Sequence, residues 1–137
     1  MSTKTFRPHK EKTMKKRSKR YKALKEKIED KIIDLINRGA GGRLIIYKPD
    51  NLDKDLMVEK RGDYKKNPIS FKIYVKKDFS LKKDIIPDEN FYLIGADFDV
   101  VEQDIEDEIF IAPTLNFKKI LINKNDLGKF LMDKLGK

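Results

Sequence analysis

One stretch constrains this chain more than any other. Tyr21, Leu24, Ile28, Ile32, Leu35 and Ile36 recur at spacings of three and four, which places them along one stripe of an α-helix. A helix that is apolar on one side must bury that side against another element. The helical pattern starts near Met14, and Arg38 followed by Gly39 supplies a stop. The spacing therefore predicts a helix from about Met14 to near Asn37, with Gly39 to Gly42 as the turn after it. Glu26, Asp30 and Asp34 mark its polar flank.

Beyond this turn the apolar residues take the period of strands. Arg43–Lys48 and Asp55–Lys60 are short apolar runs bounded by turn residues. In Ser70–Lys77 the alternation is clean: Phe71, Ile73 and Val75 share one face, and Ser70, Lys72, Tyr74 and Lys76 share the other. Phe91–Asp99 reads as a fourth strand and Glu108–Ala112 as a fifth, stopped by Pro113, with residues 100–107 an acidic connection. Asn125 or Asp126 can cap a last helix whose apolar side is Leu127, Phe130, Leu131 and Leu135. The expected architecture is α/β: a single mixed sheet of about five strands flanked by an N-terminal and a C-terminal helix. Its boundaries are a basic flexible extension, 1–13, and one domain, 14–137.

Charge is distributed unevenly. The formal net charge is +9. Residues 1–22 hold Lys4, Arg7, Lys10, Lys12, Lys15, Lys16, Arg17, Lys19, Arg20 and Lys22 against Glu11 alone, which accounts for all of that surplus. Residues 78–117 are the opposite, with Lys82 and Lys83 outnumbered by acids that include Asp97, Asp99, Glu102, Asp104, Glu106, Asp107 and Glu108. A basic run attracts phosphates and releases their counterions, so Lys15, Lys16, Arg17, Lys19 and Arg20 are candidate nucleic-acid contacts, with Lys72 and Lys77 adding to them from the third strand. A solvated tail, or a tail that docks on an acidic protein or an anionic membrane, is the competing reading. The acidic stretch lacks the glycine-centred spacing of a calcium loop. It reads as a solvated edge, or as a surface that docks the basic head in cis. No apolar run reaches the roughly 20 residues of a spanning helix, and the first 16 residues have no apolar signal core. There is no Cys, which excludes disulfides, thiolate zinc sites and a cysteine nucleophile. It fits a reducing, cytoplasmic setting. His9, the single histidine, lies in the basic head.

The second and third strands hold the residues that could carry chemistry. Asp55 opens one strand, and Tyr74 and Lys76 lie two apart on a single face of the next. An acid at one strand's start beside an acid-x-Lys on its neighbour is how phosphodiester-cleaving sites are arranged. Carboxylates hold Mg²⁺, and the lysine stabilises developing charge. The stretch Asp55-Leu56-Met57-Val58-Glu59-Lys60-Arg61-Gly62, followed by Phe71-Lys72-Ile73-Tyr74-Val75-Lys76, resembles PD-(D/E)xK restriction-endonuclease-like proteins. The order helix, strand, Asp-bearing strand, Lys-bearing strand is similar too, and the likeness spans roughly residues 24–117. It implies Asp55 as a catalytic acid and metal ligand, Lys76 as the catalytic lysine, and Glu29 as an acid on the first helix that faces the site.

One departure bears on that expectation. The family's second acid falls at Tyr74, which is not an Mg²⁺ ligand of that kind. Glu59 lies about 13 Å along the strand from Asp55, at ~3.3 Å per residue, too far to replace it. The resemblance therefore implies a restriction-endonuclease-like fold kept for binding nucleic acid, DNA ahead of RNA, with cleavage weakened or lost. An active Mg²⁺-dependent endonuclease and a protein-interaction module that uses the acidic patch stay open as alternatives, as does pairing of two copies of the chain.

Overall fold

The computed structural model describes the backbone of residues 2–50, 53–62 and 67–135, and side chains from residue 19 onward within those segments. The first helix, α1, spans Ser2–Ala40. It is longer than its apolar stripe requires and has no boundary near Met14. Its C-terminal end also lies beyond the expected stop. Gly41, not Gly39, adopts the left-handed conformation (φ 60°) and donates its amide to the Asn37 carbonyl at 3.0 Å, a left-handed C-terminal cap. Gly39 instead sits inside the helix, where a Cβ would come within 2.8 Å of the Gly128 Cα. The glycine pair lets two helices approach at backbone distance.

Six strands form one mixed sheet: β1 (Leu44–Tyr47), β2 (Leu56–Lys60), β3 (Ile69–Tyr74), β4 (Phe91–Gly95), β7 (Glu108–Pro113) and β8 (Ile120–Asn123), neighbours in that order. β1, β2 and β3 form an antiparallel meander, β4 runs parallel to β3, and β7 and β8 continue antiparallel. Leu56 faces Phe71 and Val58 faces Ile69 in register, so the apolar sets of β2 and β3 fall on one side. Six strands stand where about five were expected. β8 is the addition: a four-residue run with Ile120 and Leu121 about half exposed, too short and too open to show a period.

The expected Phe91–Asp99 strand is two. After Gly95 the chain leaves the sheet, and Asp97 accepts the Lys77 amide on its side chain (3.0 Å) and the Glu106 amide on its carbonyl (2.9 Å). β5 (Phe98–Asp99) and β6 (Asp104–Ile105) then pair as a small hairpin in what reads as an acidic connection. Asp99 makes its turn by accepting the Val101 and Glu102 amides. The last helix, α2 (Leu127–Leu135), comes after a 3₁₀ turn at Lys124–Asp126. That turn is capped by Asn123, whose side chain accepts the Asn125 amide at 2.9 Å, so the cap lies two to three residues earlier than expected.

Both helices cover the same face of the sheet. Ile28, Ile32, Leu35, Ile36 and Ala40 of α1 join Leu127, Leu131 and Leu135 of α2 over Leu56, Val58, Phe71, Ile73, Ile94, Ile109 and Ile111 in one buried cluster. The other face is closed by loops. Phe79 packs with Phe91, Leu93 and Ala112, flanked by Tyr74, Leu81, Ile85, Phe110 and Phe117. A side chain on Gly95 would overlap the Phe79 ring, so that glycine makes room for the loop. The β3–β4 crossover contains no helix. Among the described residues no helix is long and apolar enough to cross a membrane.

Candidate functional site

The helix face that carries Tyr21, Lys25 and Glu29, each one turn from the next, runs past the start of β2. Lys25 Nζ lies 3.0 Å from Asp55 Oδ1. The other Asp55 oxygen accepts the Ile73 amide at 2.7 Å, and the Asp55 amide donates to the Phe71 carbonyl at 2.7 Å. Asp55 thus occupies the point where β2 begins and β3 continues past it, and its carboxylate takes a β3 amide that no strand residue meets. Glu29 is buried, with its residue only 8% exposed. Its nearest cation is Lys48, just after β1, at 3.6 Å. Lys48 also lies 3.6 Å from Asp30. Burial, then repulsion from Asp55, raises the Glu29 carboxyl above its ordinary 4.5, against the opposing pull of Lys48 and Lys25.

The expected pair Glu29 and Asp55 therefore shares one cluster. Two cations, Lys25 and Lys48, belong to it as well. Neither lysine stands in the motif; the signal for Lys25 is its i, i+4 relation to Tyr21 and Glu29 on a helix that must face the sheet. The cluster is balanced in charge and ties α1 to the ends of β1 and β2. It does not fit a magnesium ion. Both Asp55 oxygens are engaged, Glu29 is held by a lysine, and the third position is a tyrosine. Among the described residues no three acidic, His or Cys side chains are placed to hold a metal.

Lys76, the expected catalytic lysine, is exposed and lines a pocket with Tyr21 and Tyr74. No ion pair joins it to Asp55 among the described residues. The Tyr74 ring stacks on Phe79, with centroids 5.3 Å apart. Its hydroxyl is buried without a hydrogen-bond partner. Burial, then the charges of Asp84 and Asp55, raises that phenol above its ordinary 10.0, so it stays protonated.

The expected nucleic-acid contacts divide into three sets. Lys19 and Arg20 are exposed on α1; the side chains of Lys15, Lys16 and Arg17 lie outside the described residues. Lys77 pairs with Glu106 at 3.5 Å. Lys72, on the loop-covered face, shares a cavity of about 210 Å³ with Asp53, Lys54, Asp84 and Asp88. Several acids of residues 97–108 have local partners. Lys124 lies 3.1 Å from Asp104 and 3.7 Å from Asp107. Burial opposes ionisation of Asp104, but hydrogen bonds from Lys124 and the Ile105 amide hold its carboxyl below the usual range, helped by Lys124 and Lys31 charge. Lys27 Nζ stands 5.9 Å from the Phe98 ring, so the hairpin borders the later turns of α1.

Comparison of the chain with protein-family models, with curated proteins and with solved structures finds no match.

Proposed function

We propose that this protein binds nucleic acid through its basic first helix, carried on a restriction-endonuclease-like domain that has lost its cleavage chemistry. The observation that carries the reading is where the positive charge goes unanswered. Part of the acidic stretch is paired by lysines outside the head: Lys77 with Glu106, Lys119 with Asp78, and Lys124 with Asp104 and Asp107. Lys19, Arg20 and Lys22 are exposed, and no carboxylate among the described residues pairs with them. They end the segment that carries the whole +9, and uncompensated cations on an exposed helix are suited to phosphate contact.

The topology supports the domain reading. A helix precedes β1, the strand β2 that Asp55 opens, and β3, the order the resemblance implies, although Lys76 falls two residues past the end of β3. The Lys25–Asp55 pair supports loss of cleavage, because the motif's aspartate is held by an ammonium group and a backbone amide.

The experiment is a titration of labelled duplex DNA, single-stranded DNA and RNA at about 50 mM salt, where phosphate contacts bind strongly, in EDTA and again in Mg²⁺ or Mn²⁺. Binding should be the same with and without the divalent ion, apart from its ionic strength, and the nucleic acid should remain intact. Absence of binding to all three would overturn the reading. Metal-dependent cleavage abolished by Asp55→Ala would replace it with an active endonuclease.

A further inference from the structure

Between α1 and the segment after β3 lies a pocket of about 220 Å³, separate from the charged cluster one turn further along the helix. Its lining includes Tyr21, Tyr74, Phe79, Lys76 and Lys82. Tyr74 and Phe79 are stacked on each other within 8° of parallel, which makes a rigid aromatic wall. Among the described residues no ring or cation stacks on Tyr21, which is 49% exposed at the pocket, on the part of α1 where Lys19, Arg20 and Lys22 are also exposed. Lys76 and Lys82 are exposed at the rim, and Lys82 Nζ lies 5.8 Å from the Tyr74 ring centroid. Asp78 lines the pocket too, but it lies 3.9 Å from Lys119, which offsets its charge. Tyr74 also supplies the one buried side-chain polar atom among the described residues that has no hydrogen-bond partner.

A free aromatic face next to a rigid aromatic wall, ringed by cations, suits a flat aromatic group joined to an anion. An aliphatic side chain would leave the lysines unused, and a bare phosphate would leave Tyr21 unused. Duplex DNA keeps its bases stacked inside and offers no such group, whereas a single strand does.

We infer that this pocket receives one unstacked nucleobase of a single-stranded segment, with the base on the Tyr21 ring and the flanking phosphates at Lys76 and Lys82. The inference rests on the nucleic-acid reading above and adds to it a preference for single strands or frayed ends, while the phosphate contacts along α1 serve a duplex as well. Tyr21 becomes the residue that senses a base, while the rest of α1 senses only phosphate.

The chain has no Trp, so Tyr21→Trp introduces a single indole at the pocket. The full chain with this substitution is titrated with a thymidine 12-mer and with an abasic 12-mer of the same phosphate count. The thymidine strand should quench the indole along its binding curve, and the abasic strand should bind without quenching. Against the unsubstituted chain, Tyr21→Ala should weaken the thymidine strand about fivefold to tenfold, the lower end for one stacked base, and leave the abasic strand unchanged. Equal affinity for both strands, with no quenching and no effect of Tyr21→Ala, overturns the pocket while the nucleic-acid reading stands. Failure of both strands to bind at about 50 mM salt, where phosphate contacts bind strongly, overturns both.

Discussion

Lys25→Met tests whether the charged cluster exists as described. The substitution keeps the length and apolar stem of the side chain and removes its charge. At 3.0 Å, the Coulomb attraction between Lys25 and Asp55 is roughly 5–6 kcal/mol at an effective dielectric of about 20. Most of this is offset by the cost of bringing both groups out of water. The side chains are 22% and 12% exposed, between the surface pairs worth about 0–1 kcal/mol and the fully buried ones whose breaking costs about 3–5. Asp55 would keep its Ile73 amide but would face Glu29 without a cation between them. We expect a loss of about 2 kcal/mol at pH 7, a fall of roughly 6–8 °C in Tm for a domain of this size. Removing Lys25 also removes one of the forces that lower the Glu29 carboxyl, so that group rises further. The deficit should then shrink as pH falls toward 4.5 and Glu29 takes a proton. Urea unfolding followed by circular dichroism between about pH 4.5 and 8 measures this. A deficit below about 0.5 kcal/mol at pH 7, or one that does not change with pH, would refute the reasoning, because the first denies the pair and the second assigns its effect to packing.

Two further substitutions probe the neighbouring groups. Glu29 has a raised carboxyl in the folded state, so its contribution to stability is fully present below 4.5 and is lost as pH rises through the folded value. Glu29→Gln should therefore raise the urea midpoint at pH 7 and leave it unchanged at the acid end of the window; a lower midpoint at pH 7 would contradict the sign. Tyr74→Phe removes a buried hydroxyl that has no partner and keeps the stack on Phe79. It should raise stability by up to about 1 kcal/mol, and a loss larger than that would mean that the hydroxyl is bonded in solution.

The parts of the fold that can be read from the chain are those in which one face is buried. The α1 stripe and the β3 alternation are legible because burial repeats along them: Ile28, Ile32 and Ile36 are inaccessible, as are Phe71 and Ile73. β8 is hidden because its residues are half exposed on an edge. The β5–β6 hairpin is hidden because its acids are spent on turns and on Lys124, which a charge count reads as repulsion. Gly39 reads as a helix stop because sequence alone does not separate a cap glycine from one that admits a second helix. At the site, only the resemblance points to Glu29 beside Asp55; no spacing along the chain marks it out. Lys25 and Lys48 escape a sequence reading because nothing local distinguishes them among so many lysines; only the docking of α1 on β1 and β2 selects them.

The central claim is that the basic head anchors the protein to nucleic acid. Its most direct test is the salt dependence of binding to a labelled DNA duplex, measured by fluorescence anisotropy from about 50 to 300 mM KCl for the full chain and for a chain that lacks residues 1–20. Each phosphate neutralised adds about −0.9 to the slope of log K against log salt. If about half of the basic residues in that segment touch phosphate, deletion should flatten the slope by roughly four units and weaken binding most at low salt. An unchanged slope with folding intact would show that the head is a solvated tail and that the phosphate contacts lie elsewhere.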